Sequence, residues 1–130
     1  MSKRSVFISY SPRDAGLAKR VERVLRDLGV DALDIREPHA GEDWRKAVQS
    51  AIRRSDAMVL IASPHTLASS WLLYETGAAQ ALGKRIVVLL SNEYSVKELP
   101  EEISASQVVD FDPRAPERAA HDIVARLAAA

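Results

Sequence analysis

Ala57-Met58-Val59-Leu60-Ile61-Ala62 is a run of apolar residues with no polar break. A strand with one face in water alternates polar and apolar side chains. A strand covered on both faces need not, and a parallel sheet is covered on both. The run therefore reads as a central parallel strand. Ile86-Val87-Val88-Leu89-Leu90 has the same character, and Val6-Phe7-Ile8 is a shorter version of it. Val30 to Ile35 is a weaker strand, and Val108-Val109-Asp110-Phe111 suits an edge.

Between these runs the period changes from continuous to helical. Leu17, Ala18, Val21, Val24, Leu25 and Leu28 share one face of a helix; so do Trp44, Ala47, Val48, Ala51 and Ile52; so do Ala120, Ile123, Val124 and Leu127. Ser11 is placed to cap the first helix, with Pro12 at its first position and Asp14 as the capping-box acid. Gly29 and Gly83 stand where helices stop. Asp112-Pro113 is a start signal for the last helix, and residues 92–104 suit one short helix broken at Pro100.

Five β-α units in strict alternation predict an α/β fold, a flavodoxin-like doubly wound five-stranded parallel sheet in the order 2-1-3-4-5. Helices cover both faces through right-handed crossovers. The chain, residues 1–130, is expected to be a single domain. Ligands of such sheets bind beyond the carboxyl ends of the strands. Here that edge comprises the Ser9–Ser11 turn, the loop from Arg36 to Asp43 and the turn after Ala62.

Composition removes several chemistries. The formal net charge is zero, so no overall field draws the chain to nucleic acid or an anionic membrane. There is no cysteine, which excludes disulfides, thiolate nucleophiles and thiolate metal sites. The apolar run after Lys3 and Arg4 is too short for a signal peptide, and no segment has the length of a membrane span. A cytoplasmic protein is expected. No GxGxxG follows the first strand and no P-loop occurs. A phosphoacceptor receiver is excluded because Ser9-Tyr10 and Ser63 stand where its acids belong. His39, His65 and His121 lack metal-ligand spacing, so no metal site is expected.

One element stands out against that background. In Ser69-Ser70-Trp71-Leu72-Leu73-Tyr74-Glu75, a helix puts Trp71 and Glu75 one turn apart, on a face shared with Ala78, Ala79 and Leu82. A carboxylate on an inward apolar face is either a satisfied structural anion or a reactive group.

Phe7-Ile8-Ser9-Tyr10-Ser11 with Asp14 resembles the first box of Toll/interleukin-1 receptor (TIR) domains. Arg36 to Gly41, with Pro38, occupies the place of that family's BB loop. Trp44, Ala51-Ile52, Ser55 and Val59 to Ser63 follow in order, and Ser70-Trp71 with Glu75 is similar to the WxxxE element. The resemblance is strongest over residues 6–90.

What the resemblance implies is cleavage of NAD⁺ at its nicotinamide–ribose bond, by hydrolysis or cyclisation, with Glu75 as the catalytic residue and NAD⁺ as substrate rather than cofactor. It implies Ser9, Tyr10, Arg36, Trp44, Ser70 and Trp71 as substrate-binding candidates. It also implies self-association through the loop carrying Arg36, Pro38 and Gly41. A bacterial immune, anti-phage or toxin effector fits, with a fused or separate sensor as a further partner. Some members are adaptors that only assemble, and that alternative stays open. So does a third, because Tyr74 to Lys84 is similar to nucleoside deoxyribosyltransferases, which also cleave an N-glycosidic bond with a glutamate. Trp71, Trp44 and Tyr10 can stack a purine or nicotinamide ring, and both tryptophans also read as core. Arg36 is either a phosphate contact or a solvated loop charge.

Overall fold

The structure, a computed structural model, describes residues 4–34, 44–62, 70–92, 99 and 107–128, without the side chains of 44, 45, 70–73 and 107. Strand β1 spans Ser5–Ser9, helix α1 Ala15–Asp27, β2 Asp31–Asp34, α2 Trp44–Arg54, β3 Ala57–Ala62, α3 Ser70–Ala81, β4 Arg85–Ser91, β5 Gln107–Phe111 and α4 Glu117–Ala128. The strands form one sheet in the order β2-β1-β3-β4-β5, and every pairing is parallel. This is the expected order. The short helix expected within 92–104 falls outside the described residues, apart from a turn at Asn92 and a buried Leu99.

β3 is buried along its whole length, as its unbroken apolar run requires. Its neighbours are in register: Phe7 lies opposite Met58, and Met58 opposite Ile86. Alternation then sorts the side chains into two cores. Val6, Ile8, Ala32, Val59, Ile61, Val87 and Leu89 pack with α1 and α4, whose inward residues include Val21, Leu25, Ala120 and Ile123. Phe7, Met58, Leu60, Ile86, Val88 and Leu90 pack with α2 and α3, through Val48, Ala51, Ile52 and Ala79.

Both glycine stops act as expected. Gly29 has φ +85° and Gly83 φ +69°, the left-handed region that other residues avoid. In each case the helix closes with paired bonds: Val30 to the Leu25 carbonyl (2.9 Å) and Gly29 to Arg26 (3.0 Å), Lys84 to Ala79 (2.9 Å) and Gly83 to Gln80 (3.0 Å). Gly29→Ala has open space around the new methyl group but a strained backbone. It is expected to lower stability by about 1–2 kcal/mol, read as a lower urea midpoint with unchanged m-value.

Two helix starts differ from the sequence reading. Ser11 makes no side-chain cap, and Pro12–Asp14 forms a 3-10 turn closed by the Asp14 amide on the Ser11 carbonyl at 2.8 Å. Pro12 supplies the φ but no amide, so the chain tightens before α1 begins at Ala15. Asp112 likewise does not start α4. Its Oδ1 accepts the Arg114 amide at 2.9 Å, the Asx turn open to a short carboxylate, and the helix begins only at Glu117, after Pro116. The Arg114 guanidinium also holds the Asp112 carboxyl below its ordinary range. β2 is shorter than expected: Val30 belongs to the joint and Ile35 lies outside the described residues.

Candidate functional site

Among the described residues, five buried polar side chains lie at the carboxyl edge of the sheet. Ser9 ends β1 and Ser91 ends β4, both buried, with Ser11 just beyond β1 and Glu75 and Thr76 in α3. Alternation along β1 points Ser9 to the same face as Phe7, toward α3. There the Ser9 hydroxyl donates to Glu75 Oε1 at 2.6 Å. Glu75 is 1% exposed and Ser9 2%. A carboxylate so fully removed from water is costly unless hydrogen-bonded, and a short charge-assisted bond is the strong kind. Beside Glu75, Ala79 is buried, while Ala78 and Leu82 pack partly buried on the same core.

Tyr10, the next residue, points the other way. It packs on the α1 side of the sheet, and its hydroxyl donates to Asp34 Oδ2 at 2.6 Å. Burial, the bond to Asp34 and the nearby negative charges of Asp34, Glu22 and Glu75 together push the Tyr10 phenol well above its ordinary range. Glu22 of α1 completes this group. It is 4% exposed, and its pKa is pushed up from 4.5 to about 7 by burial first and then by the neighbouring Asp34 carboxyl. Arg26, 3.6 Å from Oε2, and Lys19 oppose the shift.

The structure thus brings Ser9 onto Glu75 and sets Tyr10 back to back with them across β1. Ser70 and Trp71 lie in the first turn of α3 and Trp44 at the start of α2. Their side chains fall outside the described residues, as do Arg36, Pro38 and Gly41 entirely. Asp34 and Glu22 were not among the sequence candidates. For Glu22 the signal existed: it lies between Val21 and Leu25, four residues after Ala18, on the inward stripe of α1. An acid on an inward stripe is the same signal that singled out Glu75. Asp34 had none, since only the register Ile8 to Asp34 brings it beside β1's end. Among the described residues no three His, Cys, Asp or Glu side chains cluster as a metal site, and no helix is long and apolar enough to cross a membrane.

No curated protein matches this chain. Solved structures do. The TIR domain of the Toll-related receptor TRR-2 from Hydra magnipapillata is similar at a TM-score of 0.73 and 18% identity, over 94% of this chain and 96% of that one. The CMP N-glycosidase BcmB of Clostridium botulinum is similar at 0.62 and 20% identity, over 94% and 99%. The TIR domains of the activated Roq1 resistosome, which directly recognises the pathogen effector XopQ, are similar at 0.58 and 19% identity, over 78% and 66%. At these identities the likeness is one of fold. The family assignment rests on the TIR domain profile, which matches residues 6–127. With nearly the whole chain covered and the sheet order in agreement, the chain belongs to the TIR domain family.

Proposed function

We propose that this TIR domain cleaves the nicotinamide–ribose bond of NAD⁺, with Glu75 as its catalytic carboxylate. The observation that carries the reading is the buried Glu75 carboxylate, fixed by Ser9 at 2.6 Å on the ligand-binding edge of the sheet. The similarity in fold to a CMP N-glycosidase supports N-glycosidic chemistry on this framework.

The chemistry needs few groups. Nicotinamide leaves as a neutral base: the C1′–N bond breaks and its electron pair quenches the pyridinium charge. No general acid is required. Positive charge develops on the ribose, and a carboxylate beside C1′ stabilises it or forms a transient ester. Water then adds to C1′ and releases one proton, giving ADP-ribose and nicotinamide. Capture of C1′ by an adenine nitrogen in place of water gives a cyclic product. Ser9 holds Oε1 and so fixes the carboxylate at that edge. Trp71, Trp44, Ser70 and Arg36 remain the proposed substrate contacts, whereas Tyr10, turned to the α1 side and bonded to Asp34, is not among them.

At 1% exposure Glu75 meets substrate only when the edge opens. Assembly of TIR domains is the event we propose for that opening, in a bacterial cytoplasmic effector of immunity or a toxin. The same burial favours a second reading, a non-catalytic assembly module in which Glu75 is a structural anion.

Incubation with NAD⁺ over a range of protein concentrations, with nicotinamide followed by chromatography, separates them. Release that rises faster than protein concentration, and is lost in Glu75→Ala, is expected. Equal release by wild type and Glu75→Ala removes Glu75 from the chemistry. Silence of the assembled protein, established by light scattering, selects the assembly module. A deoxynucleoside offered with an acceptor base should give no exchange, and exchange would reassign the substrate.

A further inference from the structure

Ser9 is the last residue of β1, and the carboxylate it holds is only as fixed as the strand end itself. The ladder supports that end unevenly. On the β3 side the pairing runs to Ser9 opposite Leu60, but on the β2 side it stops, among the described residues, at Ile8 opposite Asp34. The chain then leaves the sheet for the turn at Pro12–Asp14. A strand end held by few pairings opens more readily than the middle of a sheet.

A side chain takes over where the ladder stops. Ile8 and Ala32 face the α1 side of the sheet, so alternation turns Tyr10 and Asp34, each two residues further on, to that side as well. They are diagonal neighbours across the β1–β2 pair, and the tyrosine ring spans the gap. Its hydroxyl donates to Asp34 Oδ2 at 2.6 Å, while the partly buried ring packs on the α1-side core. A short bond onto a carboxylate is charge-assisted, the stronger class of hydrogen bond.

We propose that Tyr10 and Asp34 are positioning residues: their bond ties the end of β1 to β2 and through it keeps Ser9 on Glu75. The catalytic consequence rests on the NAD⁺ reading; the tie itself does not. Ser9 and Tyr10 leave β1 on opposite faces, and only Ser9 faces α3, so Tyr10 acts through its neighbour rather than on substrate. Removing the hydroxyl frees the peptide that carries Ser9, and the carboxylate loses its fixed place. A displacement of about 1 Å costs about a hundredfold where reacting atoms must touch, so a partial loosening is expected to cost about tenfold.

Two measurements test the tie and separate it from the NAD⁺ reading. Amide hydrogen exchange of residues 8–10 should quicken in Tyr10→Phe, about tenfold more than at the buried Val87 and Leu89 of β4, as the loss of one hydrogen bond to a charged group predicts. Unaltered exchange at residues 8–10 overturns the tie. Nicotinamide release should fall about tenfold in kcat, with KM unchanged, in Tyr10→Phe and in Asp34→Ala, and the double variant should fall no further. Asp34→Asn keeps an oxygen to accept the phenol and should recover most of the loss. In a Ser9→Ala background, Tyr10→Phe should lower kcat no further, since no hydroxyl remains for the tie to position. A tyrosine that serves stability alone lowers kcat alike in both backgrounds, and that result overturns the route through Ser9. Absence of turnover by the assembled wild type ends the NAD⁺ reading and leaves exchange alone to decide the tie.

Discussion

Glu75→Gln should reduce nicotinamide release about a thousandfold, equivalent to roughly 4 kcal/mol of transition-state stabilisation. The amide matches the carboxylate in shape and keeps an oxygen to accept the Ser9 hydroxyl now 2.6 Å from Oε1. What it removes is the charge that opposes the developing oxocarbenium ion. In a site shielded from water that charge acts undiluted, so its loss should appear in kcat. Glu75→Asp keeps the charge but withdraws it by one methylene group. A displacement on the order of 1 Å costs about a hundredfold when reacting atoms must touch. The pair separates charge from reach. Similar circular dichroism spectra for wild type and Glu75→Gln would exclude misfolding as the cause. Activity of Glu75→Gln within about tenfold of wild type would assign the chemistry elsewhere.

Phe7→Ala should cost about 3–5 kcal/mol of folding stability. Phe7 is fully buried in a strand flanked on both sides, opposite Leu33 of β2 and Met58 of β3. Its ring fills the layer between the sheet and α2 and α3, together with Val48, Ile52 and Leu60. Truncation forfeits the transfer energy of the ring and leaves a cavity that a rigid sheet cannot close. For a domain of this length each kcal/mol moves the melting temperature by roughly 3–5 °C, so the fall should exceed about 10 °C in a thermal scan. Leu28→Ala is the internal control. Leu28 is 39% exposed at the end of α1, and its loss should stay within about 0.5 kcal/mol.

The architecture was legible because each layer writes itself in a period. β3 and β4 are unbroken apolar runs, and α1 and α4 carry clear inward stripes. Gly29 and Gly83 marked helix ends by a conformation that few other residues accept. The start of α4 was not legible, because the Asx turn at Asp112 and a helix cap draw on the same short carboxylate. At the site, Glu75 stood out as an acid on an inward face, and the end of β1 as a ligand-binding turn. Their contact spans 66 positions of sequence and exists only through packing of α3 on the sheet. The same holds for Tyr10 and Asp34, which meet through strand register rather than through any local pattern.

The joints that return the chain from helix to strand are short and over-determined. Residues 28–30 and 82–84 are each locked by a left-handed glycine and paired bonds, and 55–56 is closed by Ser55 on the Ile52 and Ala51 carbonyls. Connections at the opposite edge are longer: 35–43 separates β2 from α2, and 63–69 separates β3 from α3. An insertion into a short joint breaks a helix terminus, whereas lengthening a longer connection costs only the slow growth of loop-closure entropy. Lineages of this fold therefore have one edge on which to vary. It is the edge that carries Glu75, so new substrates and new partners are reachable by steps that leave the folded core as stable as before.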